Sequence, residues 1–145
     1  MIMIGIVVAG HGHFAEGLLS SLKMIAGVPE KVVAVNFLEG DSTDTLDQNL
    51  LDAVNKLECK DVVILTDIAG GSPFRHSVLL SKKVDHNVKI FSGTNLPFLL
   101  QAVFNREIDI ENVEKTWIST ETQIAPFKER VKEVFTQEGG IWWVY

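Results

Sequence analysis

A histidine and an aspartate stand where two apolar segments of the sequence end. His11 follows an apolar run over residues 2–9, and Asp67 follows a second run over residues 62–66. If both runs are parallel strands, the two side chains lie at the same edge of one sheet, where open α/β proteins bind their ligands. A carboxylate that accepts the N–H of one imidazole nitrogen fixes the tautomer and raises the basicity of the other nitrogen. The pair therefore predicts a histidine nucleophile or general base that Asp67 orients.

A glycine-rich segment directly after Asp67 has the composition of an anion site. Residues 70–74 read Gly-Gly-Ser-Pro-Phe, and a helix is predicted to begin within them. Glycines let main-chain N–H groups approach a ligand, and a helix N-terminus favours negative charge. No lysine follows the glycines as it does in a P-loop, so we do not predict ATP binding. The Gly-His-Gly segment at residues 10–12 lacks a third glycine and is weak evidence for a dinucleotide.

The histidines also have structural interpretations. His11 can cap the first helix and Asp67 can cap its own loop, but the glycine segment together with a matching carboxylate favours the functional interpretation. His13 and His11 resemble half of a metal site; catalytic zinc sites usually need three protein ligands, so we predict no metal and no cofactor. His76, about one turn into the helix after Ser72, either approaches the site or is solvated.

Four further groups have plainer explanations. Arg75 is either a docking charge for phosphate or a solvated side chain. His86 lies in a polar turn and is expected to have no catalytic role. Cys59, the sole cysteine, is expected to be a small buried or half-buried residue, so no internal disulfide forms. Glu39 and Asp41 are best explained by a turn and a helix cap.

The residue pattern predicts strands that alternate with helices. Leu46, Leu50, Val54 and Leu57 share one face of the second helix, and Ser72 with Pro73 is predicted as the N-cap and first residue of the third. The predicted strands cover 2–9, 31–37, 61–66 and 88–92, and the helices cover 13–26, 41 or 42 to 57, 72–84 and 96–104. This order implies an α/β fold with a mostly parallel open sheet of four strands and helices on both faces. Residues 111–135 are helix-like, with a bend near Pro126.

Composition limits the class of protein. The 145 residues suit a single domain over 1–145, and 46% hydrophobic with 22% charged residues is ordinary for a globular chain. A net charge of −6 argues against nucleic acid as the main partner, because phosphate neutralisation needs a basic surface. The N-terminal apolar run is short and has no basic flank, so we expect neither a signal peptide nor a membrane span, and a cytoplasmic location.

Taken together, these motifs resemble the enzyme IIA component of the mannose family of the bacterial sugar phosphotransferase system. The run Gly-Gly-Ser-Pro-Phe, at this spacing after an aspartate and combined with an early His-Gly, is the specific signal. The matching features lie between residues 2 and 104; they are His11-Gly12, Ala15-Glu16, Leu18-Leu19, Asp67 before Ala69, residues 70–74, and Gly93-Thr94-Asn95-Leu96-Pro97.

The resemblance implies a function for each site residue. The histidine-containing phosphocarrier protein would donate a phosphoryl group to Nε2 of His11, while Asp67 accepts a hydrogen bond from Nδ1–H. Gly71 and Ser72, with Gly12, would hold phosphate oxygens. The group would then pass to the IIB component, which phosphorylates sugar as the membrane IIC and IID components import it.

Departures from the family pattern leave alternatives open. His13 stands where an aromatic or small residue is usual, and the chain after Arg106 matches weakly. Residues 141–145 are expected to form the antiparallel edge strand that this family exchanges in a homodimer, because two tryptophans and a tyrosine would otherwise expose a large apolar patch. Three other functions fit the sequence: the phosphocarrier subunit of a dihydroxyacetone kinase system, a tetrapyrrole metal chelatase in which His11, alone or with His76, handles the metal ion, and a binding module whose His11 is never modified.

Overall fold

Strands and helices alternate along the chain. The computed structural model describes residues 3–118. Its elements are β1 (Gly5–His11), α1 (Phe14–Ala26), β2 (Val32–Phe37), α2 (Thr43–Leu57), β3 (Asp61–Thr66), α3 (Ser72–Ser81), β4 (Asn87–Phe91), α4 (Leu96–Phe104) and α5 (Val113–Trp117), with a 3₁₀ turn at Ile110–Asn112. The four predicted strands and the first four predicted helices are confirmed.

The four strands form one parallel sheet in the order β2-β1-β3-β4. β1 and β3 are the two central strands, so the residues that follow them meet at the carboxyl edge of the sheet. β1 is longer than predicted at this edge: it continues through Gly10 to His11, which pairs with Phe37 of β2. His11 is therefore the last residue of a strand and not part of a free loop.

Helices cover both faces of the sheet, as predicted. Along β1, Ile6 and Val8 face a core built with α1, α4 and α5, whereas Val7 and Ala9 face a core built with α2 and Leu80 of α3. This alternation follows from the two-residue period of a strand. All four residues are fully buried, which explains why the predicted first strand is apolar throughout.

α2 is the most firmly anchored helix on its face of the sheet. Leu46, Leu50, Val54 and Leu57 are all buried, which confirms the predicted apolar face. The hydroxyl of Ser42 accepts a hydrogen bond from the Thr45 N–H at 3.1 Å and caps the helix N-terminus.

Besides β1, other predicted elements need correction at their boundaries. α3 takes Gly71 as its N-cap, so Ser72 and Pro73 are its first and second residues, and the helix ends at Ser81 and not at Val84. Within the helix predicted over 111–135, the described part holds the end of a 3₁₀ turn and α5 up to Trp117. The remainder of that prediction and the edge strand predicted at 141–145 lie outside the described residues.

Candidate active site

His11 lies at the carboxyl end of β1 with its side chain 46% exposed. The turn after it depends on Gly12, whose φ of +56° is in the left-handed region that favours glycine. The Gly12 N–H donates to the carbonyl of Phe37 at 2.8 Å, which closes this turn against β2. The imidazole is thus held on a short, fixed segment and remains open to solvent.

Asp67 holds both the main chain and the ring of His11. Its Oδ2 atom accepts from the His11 main-chain N–H at 2.8 Å and contacts the imidazole Nδ1 at 2.8 Å. Its Oδ1 atom accepts from the Ile68 N–H at 2.8 Å, and its side chain is only 12% exposed. The loop that carries Asp67 is itself braced, because the Asp67 carbonyl accepts from the Gly93 N–H at 2.7 Å. The structure therefore brings together the two residues that the strand ends predict.

Hydrogen bonds decide the ionisation of Asp67. Burial disfavours the charged carboxylate and by itself raises the pKa. The main-chain N–H of His11, the imidazole and the Ile68 N–H all stabilise the charged form, and together they outweigh burial and hold the pKa of Asp67 below its ordinary value. At neutral pH the group is therefore an ionised carboxylate.

The ionised carboxylate selects one tautomer of His11. A carboxylate can only accept hydrogen bonds, so the contacting Nδ1 must carry the proton when the ring is neutral. The lone pair then resides on Nε2, which is the nucleophilic nitrogen. If Nε2 forms a bond, the positive charge that develops on the ring lies next to Asp67.

The N-terminus of α3 lies against the imidazole of His11. A Cβ atom built at Gly71 would come within 2.9 Å of Cε1 of His11, the ring carbon that joins the two nitrogens. Glycine is the only residue without a Cβ, so any other residue at position 71 would crowd the His11 ring. The first N–H groups of a helix have no partner within it, and the helix dipole is positive at this end. Ser72, the first residue of α3, adds a hydroxyl. An anion bound to His11 would meet these donors.

Phe37 is a site residue that the sequence analysis missed. Its ring meets the His11 ring edge to face, with centroids 5.9 Å apart and planes inclined by 64°. The contact follows from the pairing of His11 with Phe37 across the sheet. The only sequence signal was an aromatic residue at the end of the second predicted strand.

His13 has its own carboxylate partner. Its Nδ1 lies 3.2 Å from Oε2 of Glu16, and the Asn36 amide donates to the same oxygen at 3.0 Å. The hydrogen bonds from His13 and then Asn36 hold the pKa of Glu16 below its ordinary value. The His13 side chain is 74% exposed. It belongs to a surface network at the start of α1.

His76 is neither free in solvent nor paired with His11. Its Nδ1 contacts Oδ1 of Asp47 on α2 at 2.5 Å, and its side chain is 19% exposed.

Arg75 is exposed, and it forms no ion pair within residues 3–118. Cys59 is half-buried, as predicted.

The remaining candidates fit their structural explanations. Asp41 accepts from the Leu38 N–H at 2.9 Å and stabilises the turn before α2, which agrees with the prediction of a turn. His86 lies in the turn before β4. Across the described part of the chain, no three His, Cys, Asp or Glu side chains form a group that could hold a metal ion, and no helix has the length and apolar character to cross a bilayer.

Fold and site together define an open parallel α/β protein with a carboxylate-oriented histidine at the carboxyl edge of its sheet. The family model of the PTS system fructose IIA component, EIIA-man, matches residues 5–116. The chain belongs to this family, the mannose-type IIA components of the sugar phosphotransferase system, and this membership confirms the resemblance and a phosphotransferase role in sugar transport.

Individual relatives agree with the family. The fructose-specific EIIA component of Bacillus subtilis (strain 168) is 33% identical over 106 residues, 72% of this chain and 72% of that protein. The mannose-specific EIIAB component of Escherichia coli (strain K12) is 32% identical over 120 residues, 82% of this chain but 37% of that protein. The crystal structure of component EIIA from Streptococcus agalactiae has a TM-score of 0.76 and 37% identity, covering 82% of this chain and 92% of that chain.

Proposed function

We propose that this chain is a phosphocarrier that accepts a phosphoryl group on Nε2 of His11 and passes it to a IIB component. The donor is the phosphorylated histidine of the histidine-containing phosphocarrier protein. The observation that carries the proposal is the contact of His11 Nδ1 with the ionised Asp67, which leaves Nε2 as the nucleophile. The exposure of the His11 side chain supports it, since transfer between two proteins requires access to the ring.

The transfer step follows from this geometry. The Nε2 lone pair attacks phosphorus in line with the donor's P–N bond, which breaks and returns its electron pair to the donor imidazole. The Nδ1 proton stays between His11 and Asp67 throughout, so the positive charge that develops on the ring is compensated by the carboxylate. Attack by the IIB component reverses these events and restores neutral His11.

The phosphoryl oxygens are assigned to the start of α3. Gly71 provides the space beside the ring, and the main-chain N–H and hydroxyl of Ser72 provide hydrogen-bond donors. The N–H of Gly12 is already bonded to the Phe37 carbonyl, so we assign Gly12 the turn after His11 and place the phosphate contacts on Gly71 and Ser72. This arrangement needs no metal or cofactor.

Phosphorylation of the purified chain tests the proposal directly. The protein is incubated with phosphoenolpyruvate, enzyme I and the phosphocarrier protein, and its intact mass is measured. We expect a gain of one phosphoryl group that is labile in acid and stable in alkali, and its transfer to IIB when IIB is added. His11→Ala should abolish the gain, whereas His13→Ala, two residues away and exposed, should retain it.

Two results would contradict the proposal. A wild-type chain that takes up no phosphoryl group under these conditions would exclude the carrier function. A His11→Ala variant that is still phosphorylated would place the nucleophile on another residue.

A further inference from the structure

α3 carries the proposed phosphate donors but is weakly anchored at that end. Its buried residues are Pro73, Ser77 and Leu80, and only Leu80, near the helix C-terminus, is a large apolar side chain. Phe74 in the first turn is half-buried and belongs to neither core cluster. In its first turn α3 buries Pro73 but inserts no large apolar side chain into either core cluster.

Among the described residues, one side-chain polar contact joins this part of α3 to another element. Nδ1 of His76 meets Oδ1 of Asp47 on α2 at 2.5 Å. Within residues 3–118 it is the only side-chain hydrogen bond or ion pair that joins α3 to another element, since the hydroxyls of Ser77 and Ser81 donate to carbonyls of α3 itself. A carboxylate can only accept hydrogen bonds, so Nδ1 of His76 is the donor in this contact.

Asp47 lies on a helix that is packed on the sheet, and its own side chain is 49% exposed. It follows Leu46, which is almost fully buried, in the helix whose buried residues anchor it to the sheet and whose N-terminus Ser42 caps. Asp44 and Lys83 line the same cleft between α2 and α3, but neither pairs with His76. The His76–Asp47 contact therefore joins α3 to a helix that is packed on the sheet, in addition to the apolar contact of Leu80.

We propose that His76 is a positioning residue for phosphoryl transfer. It lies four residues after Ser72, slightly more than one helical turn or about 6 Å along the axis. Its bond to Asp47 sets the tilt of the first turn of α3, and hence the placement of Gly71 and Ser72 against the His11 ring. The Gly71 position tolerates little displacement toward the ring, because even a methyl group there would lie 2.9 Å from Cε1. This inference rests on the proposed function of His11.

The test compares variants that remove or retain the Nδ1 donor. His76→Leu and Asp47→Leu remove the contact, whereas the amide of His76→Asn places a donor near the position of Nδ1. Lys60→Met is the matched control, because it removes an exposed contact to Asp85 at the opposite edge of the sheet. The rate of phosphoryl uptake is measured against the concentration of phosphorylated carrier protein, which separates kcat from KM.

We expect kcat to fall about tenfold in His76→Leu and Asp47→Leu, less than the 10²-fold that a full 1 Å misplacement costs. KM should stay unchanged, and His76→Asn should recover most of the rate. The control should match the wild type. A His76→Leu variant with the wild-type kcat, an increase in KM alone, or a His76→Asn variant as slow as His76→Leu would each overturn the proposal.

A second measurement does not depend on phosphoryl transfer. The amide resonance of Ser72 and the ring-nitrogen resonances of His11 are recorded by NMR for the same variants. We expect both to shift in His76→Leu and to return toward wild-type values in His76→Asn. Unshifted resonances with lowered thermal stability would show that His76 is merely structural. Shifted resonances in a chain that takes up no phosphate would contradict the carrier function, and would show only that His76 sets the placement of Ser72 beside His11.

Discussion

Replacing Asp67 by asparagine removes the charge that orients His11 and leaves the shape of the side chain almost unchanged. In the wild type, Oδ2 accepts from the main-chain N–H of His11 and contacts Nδ1, and Oδ1 accepts from the Ile68 N–H. An amide has only one oxygen. If that oxygen faces His11, the NH₂ group opposes the Ile68 N–H. If the NH₂ group faces His11, the ring must turn its Nδ1 lone pair toward it, and the proton moves to Nε2.

Either orientation of the amide should lower the rate of phosphoryl uptake by His11. The size of the decrease can be calculated from the hydrogen bond that is lost. A hydrogen bond to a charged group contributes about 1.5–3 kcal/mol net. Since about 1.4 kcal/mol corresponds to tenfold in rate, loss of the charged contact to the developing imidazolium should slow phosphoryl uptake by about 10- to 100-fold. The uptake should not be abolished, because the fraction of rings with a free Nε2 lone pair remains reactive.

Rapid-quench measurement of phosphoryl uptake from the phosphorylated carrier protein gives this rate. Asp85→Asn is the matched control, because Asp85 is a fully exposed carboxylate whose partner Lys60 lies at the other end of β3. Circular dichroism verifies that both variants fold. An Asp67→Asn variant that reacts at the wild-type rate would refute the role given to the carboxylate, and an equal loss in Asp85→Asn would show that the effect is not local.

Two further predictions concern the same site. Gly71→Ala should slow phosphoryl uptake by about tenfold or more, because the added Cβ lies 2.9 Å from Cε1 of His11 and forces the ring aside. The control is Gly17→Ala, where a Cβ meets no atom within 4 Å, and it should keep the wild-type rate. Equal rates in the two variants would contradict the steric explanation. The pKa of Asp67 is lower in the folded chain than in the unfolded chain. The ionised carboxylate therefore contributes its full share to the free energy of unfolding above the unfolded-state pKa of about 3.9, and this share is lost as the pH falls through the folded-state pKa. Urea unfolding should therefore show a stability gap between wild type and Asp67→Asn that is constant from about pH 5 to 7 and shrinks below about pH 4, and a gap that grows in acid would contradict this sign.

The meeting of His11 and Asp67 was predictable because it depends on topology alone. Parallel strands that are neighbours end at the same edge, and the two apolar runs identify those strands without any knowledge of side-chain packing.

The start of α3 was predicted one residue too late. A proline is tolerated at the first or the second helical position, because neither N–H has a helical partner, so Ser-Pro alone does not fix the cap.

The contacts of Phe37 and His76 were not predictable from the sequence. Phe37 reaches His11 through the register of β2 against β1, and an apolar strand that is buried on both faces carries no alternation to fix that register. His76 reaches Asp47 through the way α3 lies beside α2, which depends on the packing of both helices against the sheet. Sequence periodicity shows which face of a helix is apolar, but not which polar residues of two neighbouring helices meet.

The different exposures of His11 and Asp67 fit the demands of transfer between proteins. If His11 is the proposed nucleophile, two partner proteins must reach it, and its side chain is 46% accessible. A carboxylate that must stay ionised and in place benefits from shelter, and the Asp67 side chain is 12% accessible and bonded through both oxygens. Burying the histidine would block its partners, and exposing the aspartate would let water weaken its contact with Nδ1. The central strand β1 ends in His11, and the loop after the neighbouring strand β3 carries Asp67, so an exposed imidazole and a sheltered carboxylate lie 2.8 Å apart.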